Sequence, residues 1–329
     1  MQQTVREAPY ADLGPGTVLD AVESLGLQCD GRLLPLNSYE NRVYQIGLEE
    51  RAPVIGKFYR EGRWSDEAIL EEHTFTAELH EHEIPVVAPL AFGGTTLHTY
   101  NGYRFALFPR QGGRLPDLDN PEARRWLGRF LGRLHLVGEI QPFVARPTLT
   151  VARLGHEPVR YIVDHGLLPS SLETAYTSLA ADVLERIEAA FARAGRYQPI
   201  RVHGDCHPGN ILWTDDGPHF VDLDDAMNGP AIQDLWMLLS GERVEMTRQL
   251  DEILEGYEDF YSLDPRQLHL LEPLRTLRMI HFSYWLALRW NDPAFPPAFP
   301  WFASERYWEE QVLALREQAA LLDEAPLQL

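Results

Sequence analysis

Residues 202–225, VHGDCHPGNILWTDDGPHFVDLDD, constrain this chain more than any other stretch. His203-Gly204-Asp205 is followed by Asn210 five residues after the aspartate, and by Asp222 twelve after the asparagine. Asn210-Ile-Leu-Trp and His219-Phe-Val read as two short strands, with Thr214-Asp-Asp-Gly-Pro as the turn between them. That hairpin would bring Asn210 and Asp222 close together, as hard oxygen ligands for Mg²⁺ require. A loop that offers one carboxylate to a hydroxyl, and an amide a few residues later to a metal, meets half of what phosphoryl transfer needs. The competing reading is a polar loop in an acidic protein.

A second clue comes from composition. Of 29 basic residues, 28 are arginine and one is lysine, Lys57. A GC-rich genome explains the bias itself. The surviving lysine is a candidate for work that needs a compact ammonium, which the planar guanidinium does not replace. Chance survival is the plain alternative.

The organisation follows from periodicity and turn signals. Thr17–Leu25 reads as a short helix, Leu33–Ile46 as two strands around a polar turn at Asn37-Ser38-Tyr39-Glu40-Asn41, and Ala52–Tyr59 as a third strand containing Lys57. Trp64–His82 reads as a helix, and Val86–Phe92 and Tyr103–Phe108 as further strands. Pro109–Pro116 has a linker's composition. Helices then dominate: Pro121–His135, Ser171–Arg193, Ile232–Leu239, Thr247–Tyr261, Leu268–Trp290 and Arg306–Leu322. The expectation is an α+β chain, with a strand-rich lobe over residues 1–108 and a helix-rich lobe over 109–329.

With these residues in place, the chain resembles the aminoglycoside phosphotransferase and choline kinase-like branch of the protein-kinase-like superfamily. The resemblance implies a bilobal fold with a nucleotide-binding N-lobe and a catalytic, acceptor-binding C-lobe. It implies that Asp205 is the base, that Asn210 and Asp222 bind Mg²⁺, and that Lys57 holds the ATP phosphates. It also implies an acidic partner for Lys57 from the following helix. Glu71 and Glu72 are both available, and Glu72 keeps the family's seven-residue step to a helix leucine, Leu79. No Gly-rich loop is present, so Ser38 and backbone N–H groups of its turn stand where the phosphates need donors. Phe105–Phe108 resembles the hinge against which adenine packs. Asp234 resembles the aspartate that braces the catalytic loop, and Asp224 is left between a second metal and loop support. Within the branch, the likeness to bacterial serine/threonine protein kinases of the stress response covers nearly the whole chain. LNSYENRVYQ, KFYR, ILEEH, HGDCHPGNILW, VDLDDAMNGPAIQDLWMLL and DPAFPPAFPW carry it.

Charge narrows the partners. With 49 acidic against 29 basic residues and a net charge of −20, nucleic acid and anionic membrane surfaces are excluded as partners. Cys29 and Cys206 are too few for a disulfide framework, and no apolar run approaches the roughly 20 residues of a membrane span. MQQTVREAPYADLGPG has no apolar core of a secretory signal. The expectation is a cytoplasmic monomer that uses ATP and Mg²⁺ on a protein hydroxyl, possible targets including its own chain. The alternatives are a small-molecule kinase and a nucleotide-binding scaffold.

Several residues read as structural: His203 as a loop brace, and Cys206 as a thiol with a raised pKa beside carboxylates. His73, His80 and His82 lack zinc-site spacing. The aromatic run Phe282–Trp290 reads as a buried helix face, with lining of the acceptor side as its rival.

Overall fold

The computed structural model describes residues 9–329; the reading of the first residues as no leader falls mainly outside them. In chain order the elements are α1 Pro15–Glu23, β1 Cys29–Pro35, β2 Arg42–Leu48, β3 Arg51–Phe58, α2 Asp66–Glu81, β4 His98–Tyr100, β5 Tyr103–Pro109 and α3 Pro121–Glu139. There follow α4 Glu157–Asp164, α5 Glu173–Ala194, β6 Ile200–Val202, β7 Ile211–Thr214, β8 Gly217–Phe220, β9 Met227–Gly229 and α6 Ile232–Leu235. The last are α7 Arg243–Tyr257, α8 Leu271–Arg289, α9 Phe295–Ala298 and α10 Glu305–Leu321. This is the α+β class read from the sequence.

Two compact units emerge. The first comprises the chain up to Pro116, Phe143–Arg146 and Gly209–Asp224; the second comprises Asp117–Pro142, Pro147–Pro208 and Asp225–Leu329. The first is built on an antiparallel sheet of order β1-β2-β3-β5-β4. β3 lies in its middle, where Lys57 sits opposite Val43 on β2 and Ala106 on β5. One sheet face buries Ile46, Val54, Phe58, Phe105 and Leu107 against α1. α2 begins at Ser65, whose hydroxyl accepts the Ala68 N–H, with Asp66 and Glu67 in the first turn complementing the helix dipole. The β7–β8 hairpin belongs to this unit, and β7 pairs with Arg114 through two backbone bonds of 2.7 and 2.9 Å.

In the second unit, α3 and α7 pack with their backbones almost touching, as glycines permit. A Cβ on Gly128 would lie 1.9 Å from the Ile253 carbonyl oxygen. A separate core gathers α5, α8 and α10 around Tyr176, Ile187, Leu277, Phe295 and Trp308. Among the described residues, no helix is long and apolar enough to cross a membrane.

Three expectations change. Val86–Phe92 is not a strand: only isolated bridges form, Val86 to Phe220 and Phe92 to Thr95. Pro85 and Pro89 have no N–H to give a ladder. Pro109–Pro116 is not a free linker, since Arg114 is tied to Trp213. The stretch from Leu268 begins as a 3₁₀ turn, Pro265–Leu270, before α8.

Candidate active site

The first unit gathers Lys57, Asn210, Asp222 and Asp224. Lys57 is 7% exposed, and its Nζ lies 2.8 Å from Asp222 Oδ1 and 3.3 Å from Asp224 Oδ1. Burial opposes its charge, but the two carboxylates outweigh that and hold its pKa well above the ordinary value. Asp222 follows β8 in the left-handed region, with φ of 60°, which turns its half-exposed carboxylate toward Lys57. The Val221 N–H bonds the Asn210 carbonyl at 3.0 Å, so the hairpin places Asn210 and Asp222 at one end, as its spacing predicts.

Asp224 plays a different part. It is 3% exposed and is held by Lys57, by Arg63 and by the Asn41 amide at 3.1 Å. Burial alone would raise its pKa; Arg63, Lys57, Arg146 and Asn41 together bring it well below the carboxylate range. Asp224 thus lies in a buried network with Asn41 and Arg63, next to the turn before β2. Arg60 fastens that turn: its Nε bonds the Glu40 carbonyl at 2.9 Å, and its own N–H bonds the Asn41 side-chain oxygen at 3.1 Å. Ser38 sits on that turn, half-buried, with its hydroxyl bonded to no described residue. A pre-formed turn thus stands where a Gly-rich loop would be.

Glu71 and Glu72 separate clearly. The Glu71 carboxylate accepts the N–H groups of Val144, Ala145 and Arg146 at 2.6–2.9 Å, a structural clamp. Glu72 is buried, and burial raises its pKa more than the neighbouring Lys57 and Arg146 lower it. One of its oxygens takes the Thr76 hydroxyl at 3.3 Å; the other has no hydrogen bond among the described residues. Among the described residues Lys57 and Glu72 form no ion pair, so the lysine faces Asp222 and Asp224 instead.

The second unit holds Asp205. β6 leads into His203-Gly204-Asp205, and Gly204 has φ of 85° with no room for a Cβ, which would lie 2.2 Å from the Asp225 carbonyl oxygen. The Asp234 carboxylate accepts the N–H groups of His203 at 2.7 Å and Gly204 at 2.9 Å. Asp234 is itself held by His135 at 3.1 Å, and His135 by the Tyr257 hydroxyl at 2.6 Å. The brace implied for Asp234 is therefore present. His203 is fully buried and receives the Asp205 N–H at 3.4 Å, which fits a loop brace.

The Asp205 carboxylate meets Arg278 on one oxygen and His207, at 3.5 Å, on the other. Burial raises its pKa, but these two neighbours outweigh burial and hold it well below the carboxylate range. These neighbours favour the ionised carboxylate of Asp205. The buried Cys206 thiol is pushed up by burial and by the Asp234 and Asp205 charges, consistent with an inert thiol. Among the described residues no cluster of three or more His, Cys, Asp or Glu could hold a metal, and His73 is instead bonded to Tyr59 and Thr96.

Sequence reasoning did not single out Arg60, Arg63, Arg146, Asn41, His207 or Arg278. The arginines carry no compositional signal among 28 of their kind, and their partners lie far along the chain.

Comparison with known proteins gives the family and the fold. Residues 32–271 match the model of the phosphotransferase enzyme family, APH. A protein from Escherichia coli O157:H7 named "Stress response kinase A" is 47% identical over 320 residues, covering 97% of each chain. One from Salmonella typhimurium named "Serine/threonine protein kinase RdoA" has the same identity and coverage. Among solved structures, amicoumacin kinase in complex with AMP-PNP, Ca²⁺ and Ami aligns with a TM-score of 0.71 at 18% identity, covering 93% of each chain. A microcompartment-associated aminopropanol kinase gives 0.68 at 17%, covering 93% of this chain and 96% of the other. Both show the shared protein-kinase-like fold. The chain belongs to the phosphotransferase enzyme family, alongside the stress response kinases A of Escherichia and Salmonella.

Proposed function

We propose that this phosphotransferase is a Mg-ATP-dependent serine/threonine protein kinase of the bacterial stress response, acting as a cytoplasmic monomer. The observation that carries the phosphoryl-transfer reading is the contact between Lys57 and Asp222, residues 165 positions apart, at 2.8 Å. A buried cation and a half-exposed carboxylate beside Asn210 form the pair that phosphates and a hard cation need. The donor set fits Mg²⁺: the Asn210 and Asp222 side-chain oxygens would hold it, leaving most of its shell to phosphate and water. When bound, the ion offsets phosphate charge.

The chain's own residues then divide the work. Lys57 holds the α- and β-phosphates by charge-assisted bonds, and Ser38 with the N–H groups of its fastened turn takes further phosphate oxygens. Asp205 orients the acceptor hydroxyl and takes its proton as the oxygen attacks the γ-phosphorus. The bond from that phosphorus to the β–γ bridging oxygen breaks, and ADP leaves. The 47% identity to proteins named as stress response and Ser/Thr kinases supports a protein acceptor, possible targets including this chain.

Transfer of labelled γ-phosphate from Mg-ATP to the purified protein and to a generic Ser/Thr protein tests this. Label should appear on protein and vanish in Asp205→Asn, while nucleotide binding persists. Label only on small alcohols of the aminoglycoside or choline kind would replace the protein acceptor by a small one. Bound nucleotide with no transfer to any acceptor would leave a scaffold.

A further inference from the structure

A buried ammonium needs an anion that stays with it. Lys57 is 7% exposed, and its two carboxylate partners differ in what else they are free to do. The Asp222 side chain is 54% exposed and stands beside Asn210, where a bound cation would draw on its oxygens. An oxygen that turns to a divalent cation is a poorer acceptor for the ammonium, and a buried charge that loses its partner is costly. A second carboxylate is therefore needed to hold Lys57 while Asp222 serves the cation.

Asp224 has the geometry for that task. Its Oδ2 is taken by Arg63 and by the Asn41 amide, the latter at 3.1 Å. Its Oδ1 faces the Lys57 Nζ at 3.3 Å and accepts no hydrogen bond from any described residue. The backbone is held as well. Arg146 bonds the Asp224 carbonyl through Nη1 at 2.9 Å and the Ala68 carbonyl on α2 through Nε at 3.0 Å. With one oxygen committed and its peptide fixed, this buried carboxylate presents its open oxygen to the lysine. Glu72 offers nothing equal, since its hydrogen bond goes to Thr76 on its own helix. All of these residues belong to the first unit.

We propose that Asp224 is the positioning residue for Lys57: its arginine-fastened carboxylate keeps the ammonium in place when Asp222 turns to the cation, the task that the family resemblance assigns to Glu72. This rests on the reading of Lys57 as the cation that holds the nucleotide phosphates. It makes Asp224 a support of the lysine rather than the ligand of a second metal.

The test uses the full chain. Lys57 is its single lysine, so lysine labelled at the side-chain nitrogen gives one ammonium signal by nuclear magnetic resonance. An ammonium held by a buried carboxylate exchanges its protons slowly with water and gives a sharp signal. That signal should survive in Asp222→Asn and be lost in Asp224→Asn. Binding of Mg-ADP supplies the second readout. Asp224→Asn should weaken it at least about tenfold, the effect of one lost charged hydrogen bond, and more than Glu72→Gln does. Made in Lys57→Met, the same substitution should add less than about twofold, because a residue that acts through another has nothing left to act on. If Asp224→Asn does not fold, the signal in Asp222→Asn decides alone. Loss of the ammonium signal in Asp222→Asn overturns the inference. So does an Asp224→Asn penalty that persists undiminished in Lys57→Met, which would make Asp224 a brace of the phosphate turn through Asn41. A raised Mg²⁺ requirement in Asp224→Asn with the ammonium signal intact also overturns it and makes Asp224 a metal ligand. Parental Mg-ADP binding in Lys57→Met would instead overturn the reading of Lys57 on which the inference rests.

Discussion

Lys57 stands between two carboxylates, and its surroundings fix what substitution does. Lys57→Met would leave Asp222 to solvent and Asp224 with Arg63 and Asn41. The stability loss should therefore be smaller than the about 3–5 kcal/mol seen when a buried charge loses its sole partner, while turnover should drop at least about 100-fold, near 2.7 kcal/mol of barrier. Lys57→Arg should not restore the rate, because a planar fork does not fit a site built around a point charge. Parental kcat/KM for ATP in Lys57→Arg would mean that any cation serves there. His73 makes a second residue-scale case. Burial, then the Lys57 and Arg146 charges, lower its pKa to about 3 from an ordinary 6.5. The folded state keeps the ring neutral, so the unfolded state binds the extra proton below pH 6.5. The corresponding stability is present above pH 6.5 and is lost as pH falls toward 3, at about 1.4 kcal/mol per pH unit. Denaturant unfolding at pH 7, 6 and 5 should show this slope, and His73→Gln should flatten it. An unchanged slope in the variant would assign the acid sensitivity elsewhere.

At the scale of elements, α3 and α7 depend on glycine. Cβ atoms on Gly128, Gly132 and Gly256 would lie 1.9, 2.5 and 2.1 Å from backbone oxygens of the facing helix, and backbone cannot step aside as a flexible side chain can. Gly128→Ala should cost about 1–3 kcal/mol or more. It should also slow turnover, because α7 carries Tyr257, which holds His135 on α3, which holds Asp234 under the Asp205 loop. A lowered melting temperature with a fully parental rate would sever that chain of support from function. The glycines were visible in LGRFLGRLH, but the reason for them lies more than 120 residues later and could not be read locally. The same divide runs through the site. The spacing from His203 to Asp222, the hairpin and the lone lysine are local features, and they are legible. The Asn41–Asp224–Arg63 network and the Arg278 contact join residues 73 to 183 positions apart, and nothing in the sequence marks those arginines. α4 escaped notice because Pro158 stands in its first turn and Gly155 just before it, in a π-helical turn, Ala152–His156, that runs into α4.

For the whole molecule, net charge sets a term that no single contact shows. At pH 7 the chain carries −20, and like charges spread over one surface repel in the folded state more than in the expanded one. Surface ion pairs such as Arg125 with Glu255 or Arg186 with Asp323 return little, since exposed pairs contribute about 0–1 kcal/mol each. Salt weakens both, but the excess of 49 acidic over 29 basic residues makes repulsion the larger of the two. Raising NaCl from about 20 mM to about 0.5 M cuts the screening length from above 10 Å to below 10 Å. It should therefore raise the melting temperature at pH 7. Near the pI of about 5.0 net repulsion has vanished, only the attractive pairs remain to be screened, and the same salt should leave the midpoint unchanged or lower it. The His73 contribution is buried and insensitive to salt, so it persists as a loss at pH 5 under both conditions. Melting curves at the two pH values and two salt concentrations separate the terms. An equal rise with salt at pH 7 and pH 5 would remove charge repulsion as the cause and point to a general effect of salt on apolar burial.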